Sequence, residues 1–259
     1  MERKQVYFAS DAHLGYPFRA ESLEREKKLV NWLTQAGSDA SEIYLLGDVF
    51  DFWYEYKRVV PKGFTRLLGA IASLTDAGIP VHFFSGNHDV WAFSYLQEET
   101  GMTVHHSPVS ATYNGKHFFI AHGDGLGPGD PGYKVLKRIF RSRTLQWLFT
   151  HLMHPDFAMR IGYGWSSCSR LRKDNPPFLG PDREQLIRFA GQHLMKETVN
   201  YFVFGHRHIP FDFRLNDCCR VINLGDWLEF FTYAVFDGNE ISLKQFTGHL
   251  GKDPLFQQK

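Results

Sequence analysis

The stretch that decides the fold is residues 43–53, which read Ile-Tyr-Leu-Leu-Gly-Asp-Val-Phe-Asp-Phe-Trp. Its first four residues have the length and the apolar character of a buried strand, and Gly47-Asp48 follows them directly. Similar apolar runs stand at residues 6–9 and 81–84, and apolar residues at helical spacing lie between the runs, at 22–36 and 64–77. This βαβαβ order predicts an α/β fold, with a sheet and crossover helices.

The second half of the chain is richer in strands. Residues 109–113 and 117–121 flank Asn114-Gly115, a dipeptide typical of a two-residue hairpin turn. A helix is predicted near 91–99, before this hairpin. Later strands are predicted at residues 201–204, 211–215, 220–224, 233–236 and 240–246, with turns at 216–217 and 237–238. The chain is therefore predicted to contain two strand-rich blocks.

A helical segment between the two blocks carries most of the positive charge. The breaker cluster Gly-Pro-Gly-Asp-Pro-Gly at 127–132 precedes predicted helices at 134–153 and 156–163. Residues 133–173 contain nine basic residues and one acid, whereas the whole chain has a net charge of +1. We interpret 133–173 as a basic, apolar helical cap inserted into a core made of 1–132 and 174–259. Its charge favours an anionic partner at one place on the surface.

The composition indicates the class of protein and the compartment in which it works. With 259 residues, 43% of them hydrophobic and 22% charged, the chain has the composition of a folded globular protein. Its three cysteines lack the spacing of a metal site or a disulfide framework, which favours a reducing compartment. We find no signal peptide and no run of 18 apolar residues. The composition therefore predicts a cytoplasmic protein that at most touches a membrane surface.

Five short motifs with metal-binding side chains occur in order along the chain. They are Asp11-Ala12-His13, Gly47-Asp48, Gly86-Asn87-His88-Asp89, His122-Gly123-Asp124 and Gly205-His206-Arg207-His208. Each follows an apolar strand, so its side chains are expected at the carboxyl edge of a sheet, where functional groups collect. Carboxylate, amide and imidazole donors without thiolates suit Mn²⁺, Fe²⁺ or Zn²⁺. A single histidine here is more often a packing residue, but five ordered motifs predict one metal centre.

This series of motifs resembles the signature of the calcineurin-like metallophosphoesterase superfamily, D-x-H, G-D, G-N-H-[DE], H-G and G-H-x-H. The resemblance implies a four-layer α/β/β/α sandwich that holds two divalent metal ions. It assigns one metal to Asp11, His13, Asp48 and His208, and the other to Asp48, Asn87, His122 and His206. It also implies that His88 is catalytic, as a proton donor or as a group that stabilises charge on the leaving group.

Within that superfamily the chain is similar to the UDP-2,3-diacylglucosamine diphosphatase family of lipid A biosynthesis. The similarity lies in residues 47–53, 122–133 and 205–210 and in the cap. It implies cleavage of the substrate diphosphate to UMP and 2,3-diacylglucosamine 1-phosphate, with Mn²⁺ as the preferred metal, on the cytoplasmic face of the inner membrane. The expected substrate contacts are Asn87, Asp130, Tyr133, His206, Ser167 or its neighbours Ser166 and Ser169, and Arg172 or Lys173.

Two features bear on this choice of substrate. Apolar cap residues either line a trough for acyl chains or pack the cap onto the core, and we favour lipid contact. These residues are Leu145, Leu148, Phe149, Leu152, Phe157 and Ile161. His88 is the second feature, because it stands where studied members of the diphosphatase family carry arginine.

Three alternatives stay open. The first is another enzyme of the superfamily, acting on nucleotides, phosphomonoesters or phosphodiesters. The second is a nucleic-acid enzyme or binder attracted by the basic cap, although no nucleic acid is expected because the cap is rich in Leu and Phe. The third is a metal-free scaffold of the same fold, which typically lacks some ligands, whereas every ligand is present here. No obligate protein partner is expected.

Overall fold

Two β-sheets form the centre of the molecule. The computed structural model of the chain describes residues 4–129, 131–172 and 177–246, and within 167–172 it describes the backbone only. The first half contains β1 (Gln5–Ala9), α1 (Arg19–Ala36), β2 (Ala40–Leu45), α2 (Thr65–Asp76), β3 (Val81–Phe84), α3 (Tyr95–Thr100), β4 (Thr103–His105), β5 (Val109–Tyr113) and β6 (Lys116–Ala121). The remainder contains α4 (Pro131–Phe140), α5 (Arg143–Leu152), α6 (Pro155–Arg172), α7 (Gln185–His193), β7 (Tyr201–Phe204), β8 (Pro210–Asn216), β9 (Cys219–Leu224), β10 (Thr232–Phe236) and β11 (Ile241–Gln245).

The strand order explains how distant motifs can meet. The first sheet has the order β11-β10-β1-β2-β3-β4, and the second has the order β5-β6-β7-β9-β8. Strands β1 to β4 run parallel, as do β6, β7 and β9, while β10 and β11 and the outer strands β5 and β8 are antiparallel to their neighbours. Because β1, β2, β3, β6 and β7 lie side by side in two parallel sets, the motifs that follow them reach the carboxyl edge of each sheet.

Alternating side chains produce a layered core. In β6, Phe118 and Ile120 face the first sheet, whereas Phe119 and Ala121 face α7. On the far side of the first sheet, apolar residues of α1 and α2, such as Trp32 and Leu67, bury that face. The order of layers is therefore helices, sheet, sheet, helix, which confirms the α/β/β/α sandwich.

The turn between β5 and β6 confirms the hairpin prediction. Asn114 and Gly115 have φ values of 46° and 75°. A type I′ turn requires positive φ at both central residues, and Asn-Gly provides this with little strain. The register Tyr113–Lys116 then sets the pairing along the whole hairpin.

The cap helices differ from their predicted bounds. Instead of one helix over 134–153, α4 ends at Phe140 and α5 begins at Arg143. The carbonyl oxygen of Phe140 accepts hydrogen bonds from Trp91 Nε1 at 2.7 Å and from Gln146 Nε2 at 2.8 Å. These side-chain donors take the place of the backbone N–H group that a further helical turn would supply. Helix α6 continues to Arg172, well beyond residue 163.

Three further elements were misjudged in the core. Helix α3 begins at Tyr95, not near residue 91, because Trp91 forms an isolated bridge with Tyr54. Strand β4, which is only three residues long, and helix α7, which has nine residues, are not among the predicted elements. In the part of the chain that the structure describes, no helix is long and apolar enough to cross a membrane.

Candidate dinuclear metal centre

The motifs meet where the two sheets come together. Five of the motif residues have a left-handed backbone, which for a residue other than glycine costs of order 1–3 kcal/mol. They are Asp11 (φ 57°), His13 (φ 43°), Asp48 (φ 50°), His206 (φ 67°) and His208 (φ 57°). The chain thus leaves three strands, β1, β2 and β7, through tight turns that point these side chains into one space. Such strain concentrates at functional sites.

Glycines allow the loops to approach closely. A Cβ atom on Gly47, whose φ is 82°, would lie 2.7 Å from His122 Nδ1 and 2.8 Å from the backbone nitrogen of Gly86. A Cβ atom on Gly86 would collide with the carboxylate of Asp48. The loops after β2 and β3 can therefore sit against each other only because both residues lack a side chain.

The first group of donors consists of Asp11, His13 and His208, whose ligand atoms lie within 4.8 Å of one another. His208 Nε2 is 3.3 Å from Asp11 Oδ1 and 3.2 Å from His13 Nε2. Asp11 is fully buried, and among the described residues its Oδ1 has no hydrogen-bond donor. A buried carboxylate oxygen in this situation is costly unless a cation or donor faces it, so the group has the chemistry of a cation site.

The second group consists of Asp48, His122 and His206, again with ligand atoms within 4.8 Å. His122 Nε2 is 3.4 Å from Asp48 Oδ2 and 3.4 Å from Asn87 Oδ1. The predicted second set of donors is therefore brought together, with the amide of Asn87 beside the imidazole of His122.

Asp48 lies between the two groups. Its Oδ2 atom is 3.8 Å from His13 Nε2 in the first group and 3.4 Å from His122 Nε2 in the second. Its Oδ1 atom accepts a hydrogen bond from the backbone N–H of His88 at 2.9 Å, which fixes the plane of the carboxylate. The geometry fits a carboxylate that is shared by two ions.

Two of the histidines are oriented by acceptors behind them. His122 Nδ1 donates to the carbonyl oxygen of Leu46 at 2.6 Å, and His208 Nδ1 contacts Asp226 Oδ2 at 3.2 Å. A proton held on Nδ1 leaves Nε2 as the ring nitrogen that would bind an ion in the centre, as is usual for metal-bound histidine.

Electrostatics also favours cations here. Burial by itself would favour the neutral form of His122, but the carboxylates of Asp48, Asp11 and Asp124 outweigh it and raise its pKa to about 10. Burial raises the pKa of Asp11. For Asp48, burial is outweighed by His122, His88 and His13, and its pKa is held well below the usual range. Carboxylates and imidazoles in this space therefore stabilise each other's charged forms, and the carboxylates favour positive charge beside them.

The structure gives roles to three carboxylates to which the sequence analysis assigned none. Asp89 is fully buried and accepts backbone N–H groups of Gly86 at 2.7 Å and Val49 at 2.9 Å, which ties the loops after β2 and β3 together. Asp51 contacts His13, with Oδ1 3.4 Å from Nδ1. Asp226 stands behind His208. A signal for Asp226 was present, because Leu224-Gly225-Asp226 after β9 repeats the Leu-Gly-Asp that follows β2.

His88 lies at the rim of the first group. Its Nδ1 is 2.9 Å from the carbonyl oxygen of Asp51, which can only accept, so Nδ1 carries the proton and donates. Its ring meets the ring of His13 edge-on, with centroids 4.7 Å apart. The side chain is 12% exposed, so its outer nitrogen can meet a molecule that enters the centre.

The predicted substrate contacts are only partly within the described residues. Tyr133 on α4 donates to Asp124 Oδ2 at 2.7 Å, close to the second group. Ser166, the alternative to Ser167, is buried on α6 and donates to Asp51 Oδ1 at 2.9 Å. Asp130 and Lys173 lie outside the described residues, and so do the side chains of Ser167, Ser169 and Arg172.

The cap presents many exposed apolar side chains. Nine large apolar residues of 131–166 are exposed: Val135, Ile139, Leu145, Trp147, Leu148, Leu152, Phe157, Ile161 and Trp165. Phe149 differs from the other predicted lipid contacts, since its ring packs against Tyr54 at 5.2 Å and Trp91 at 5.3 Å. Most of the predicted apolar face is therefore directed to the surface, while Phe149 attaches the cap to the core.

The chain is similar to known phosphoesterases and hydrolases. Residues 4–210 match the model of the calcineurin-like phosphoesterase family. The chain is similar to a UDP-2,3-diacylglucosamine hydrolase of Porphyromonas gingivalis, with 40% identity over 93% of this chain and 97% of that protein. A hydrolase of the same name from Aeromonas hydrophila is 29% identical over 86% of this chain and 90% of that protein. Among solved structures, a dimetal phosphatase from Danio rerio is 14% identical, covers 94% of this chain and 96% of that one, and has a TM-score of 0.47.

Proposed function

This chain belongs to the calcineurin-like phosphoesterase family, and we propose that it is a metal-dependent hydrolase that cleaves UDP-2,3-diacylglucosamine. The observation that carries the proposal is the 40% identity to a UDP-2,3-diacylglucosamine hydrolase, which extends over nearly the full length of both proteins and includes the cap. The converging carboxylates and imidazoles support the same reaction class, because hydrolysis of a phosphoric anhydride needs cations at the phosphorus.

The residues present fit two divalent ions. Asp11, His13, Asp48 and His208 would hold one ion, and Asp48, Asn87, His122 and His206 would hold the other. The orphaned buried Oδ1 of Asp11 and the nitrogen and oxygen donors suit a mid-series ion, and we propose Mn²⁺, with Fe²⁺ and Zn²⁺ as alternatives. When bound, such ions supply a nucleophilic water at neutral pH and stabilise the charge that develops on phosphate oxygens.

The side chains around the centre would orient the substrate. In the reaction, water adds to one phosphorus of the diphosphate and the bridging P–O bond breaks, which gives UMP and 2,3-diacylglucosamine 1-phosphate. His88, whose Nδ1 donates to the carbonyl oxygen of Asp51, would direct Nε2 towards the leaving phosphate, and a proton carried on Nε2 would be donated to it and stabilise its negative charge. Asn87, Tyr133 and His206 line the same space and are proposed to contact the sugar and phosphates.

The cap would receive the lipid part of the substrate. Its exposed Leu, Ile, Phe and Trp side chains offer an apolar surface for acyl chains. The basic residues of 133–173 offer positive charge to the diphosphate and to anionic lipid headgroups. We propose that the protein works at the cytoplasmic face of the inner membrane, attached peripherally through this cap, and that Ser167, Arg172, Asp130 and Lys173 complete the polar contacts.

The test is a substrate panel with metal-loaded protein. Release of UMP from UDP-2,3-diacylglucosamine should far exceed release of nitrophenol from bis(p-nitrophenyl) phosphate and should be lost when metal is chelated. Rapid hydrolysis of simple phosphodiesters or nucleotides without any release of UMP would overturn the substrate and favour another phosphoesterase of the family.

A further inference from the structure

The carboxylate of Asp51 joins the cap to a residue of the metal centre. Asp51 is 1% exposed and belongs to the loop after β2. Its Oδ1 atom lies 3.4 Å from Nδ1 of His13 on one side. On the other side it accepts a hydrogen bond of 2.9 Å from the hydroxyl of Ser166, which belongs to helix α6 of the cap. A single oxygen atom thus contacts both a proposed metal ligand and the cap.

Helix α6 is closely packed at this point. The ring of Tyr163 lies 6.2 Å from that of Phe52, and Gly162 faces the same Phe52 ring with no room for a side chain. Ser166 is one turn further along α6 and is 1% exposed. Its hydroxyl therefore reaches Asp51 only when α6 lies against the core.

We propose that Asp51 and Ser166 are positioning residues, through which docking of the cap sets the orientation of His13 and so the affinity of the first metal site. A carboxylate behind Nδ1 fixes the tautomer and the rotation of a metal-bound imidazole, and its loss typically weakens metal binding about 10–100-fold. Ser166 in turn fixes the carboxylate. The inference deepens the proposed function, because it rests on His13 being a metal ligand.

The cap has other attachments that supply a matched control. The hydroxyl of Tyr54 donates a hydrogen bond of 3.1 Å to the backbone carbonyl oxygen of Gln146 in the cap. The same hydroxyl lies 2.7 Å from Oγ1 of Thr150, also in the cap. Neither partner is a residue of the metal centre. Tyr54→Phe should therefore loosen the cap by the loss of hydrogen bonds, as Ser166→Ala does, without touching Asp51 or His13.

The experiment titrates metal-free full-length protein with Mn²⁺ and follows binding by electron paramagnetic resonance, with thermal unfolding measured in parallel. Ser166→Ala should weaken the first Mn²⁺ site about 10-fold, as expected for a lost contact behind a ligand. Tyr54→Phe should lower the melting temperature similarly and leave Mn²⁺ affinity within two-fold of wild type. Asp51→Asn should weaken the same site, and adding Ser166→Ala to it should cause no further loss.

Two results would overturn the inference. One is unchanged Mn²⁺ affinity in Ser166→Ala, or an equal loss in Tyr54→Phe, either of which would make the hydrogen bond a mere attachment. The other is additive losses in the double variant, since Ser166 would then not act through Asp51. Failure of the proposed function would be seen separately. The variants would then show the expected differences in Mn²⁺ affinity, yet the wild-type protein would release no UMP from UDP-2,3-diacylglucosamine.

Discussion

The carboxylate of Asp226 lies behind the imidazole of His208, with Oδ2 3.2 Å from Nδ1. The other oxygen, Oδ1, accepts the backbone N–H groups of Leu228, Glu229 and Phe230 at 2.8–3.1 Å. The loop after β9 therefore fixes the carboxylate, and the carboxylate fixes the ring of a proposed metal ligand from β7. Three strand ends thus contribute to one donor group.

Asp226→Asn should weaken metal binding without unfolding the loop. An asparagine oxygen can keep the backbone hydrogen bonds, but its amide group cannot accept the proton of His208 Nδ1, so affinity should fall about 10–100-fold. Mn²⁺ titration of metal-free protein measures the change. Asp237→Asn is the control, because Asp237 Oδ1 accepts the backbone N–H groups of Asn239 and Glu240 in a turn at the end of β10. An equal loss of Mn²⁺ affinity in both variants would show that Asp226 does not act through His208.

Asp48→Ala should abolish binding of both ions and all hydrolysis, because Asp48 Oδ2 faces both donor groups. Asp11→Ala should lose only the first ion, since Asp11 Oδ1 lies 3.3 Å from Nε2 of His208, a donor of the first group. Elemental analysis after dialysis counts the ions in each variant. Two ions retained by the Asp48 variant would contradict the shared position of its carboxylate.

The site was more predictable from sequence than the residues around it. The proposed metal ligands stand out in the sequence because short strands carry Asp, Asn and His at their ends in a fixed order, as at Asp48 and His122. Asp226 behind His208 shares the Leu-Gly-Asp pattern of Asp48, but the contact behind His13 carries no such pattern: Ser166 meets Asp51 across 115 positions. Only the three-dimensional packing of α6 brings these two together, so periodicity could not have found them.

The same reason explains which parts of the fold were predictable. Strands and the Asn114-Gly115 hairpin follow from local preference. The break between α4 and α5 depends instead on Trp91, whose indole N–H donates to the carbonyl oxygen of Phe140 from outside the cap. A helical pattern that continues through such a break gives no local sign of it.

The exposed face of the cap should control association with membranes. Leu152 is 75% exposed within the cap, and Leu152→Glu should lower binding to vesicles that contain anionic lipid several-fold, because it places a carboxylate on the apolar face. Met195→Glu is the matched control, since Met195 is 80% exposed but lies outside the cap. Cosedimentation with vesicles measures binding. Equal vesicle binding by the two variants would show that the cap does not mediate association with membranes.

Two glycines of α6 should respond oppositely to alanine. At Gly162 a Cβ atom would lie 2.5 Å from three atoms of the Phe52 ring, so Gly162→Ala should destabilise by about 1–3 kcal/mol through overpacking. At Gly164 nothing lies within 4 Å, so Gly164→Ala should stabilise by roughly 0.5–1 kcal/mol through the better helix propensity of alanine. Urea unfolding measures both. A stabilising Gly162→Ala would show that α6 does not pack against Phe52.

His105 should make stability fall as the solution becomes acidic. The ring is half-buried in the first sheet, and its Nε2 atom lies 3.0 Å from Nδ1 of His82. Burial is the largest cause that lowers the pKa of His105, and the charges of His82 and His106 add to it, so that the pKa is about 4. The unfolded chain binds a proton near pH 6.5, so between about pH 6.5 and 4 the unfolded state holds more protons, and stability falls as the pH is lowered through this range.

His105→Gln removes this titration. Solvent screening at a half-exposed ring reduces the effect, so wild type should lose about 1 kcal/mol more than the variant between pH 7 and pH 5. Urea unfolding at both pH values, with the same metal content, gives the two differences. If the difference in free energy of unfolding between wild type and variant is the same at both pH values, His105 is protonated as readily in the folded protein as in the unfolded chain.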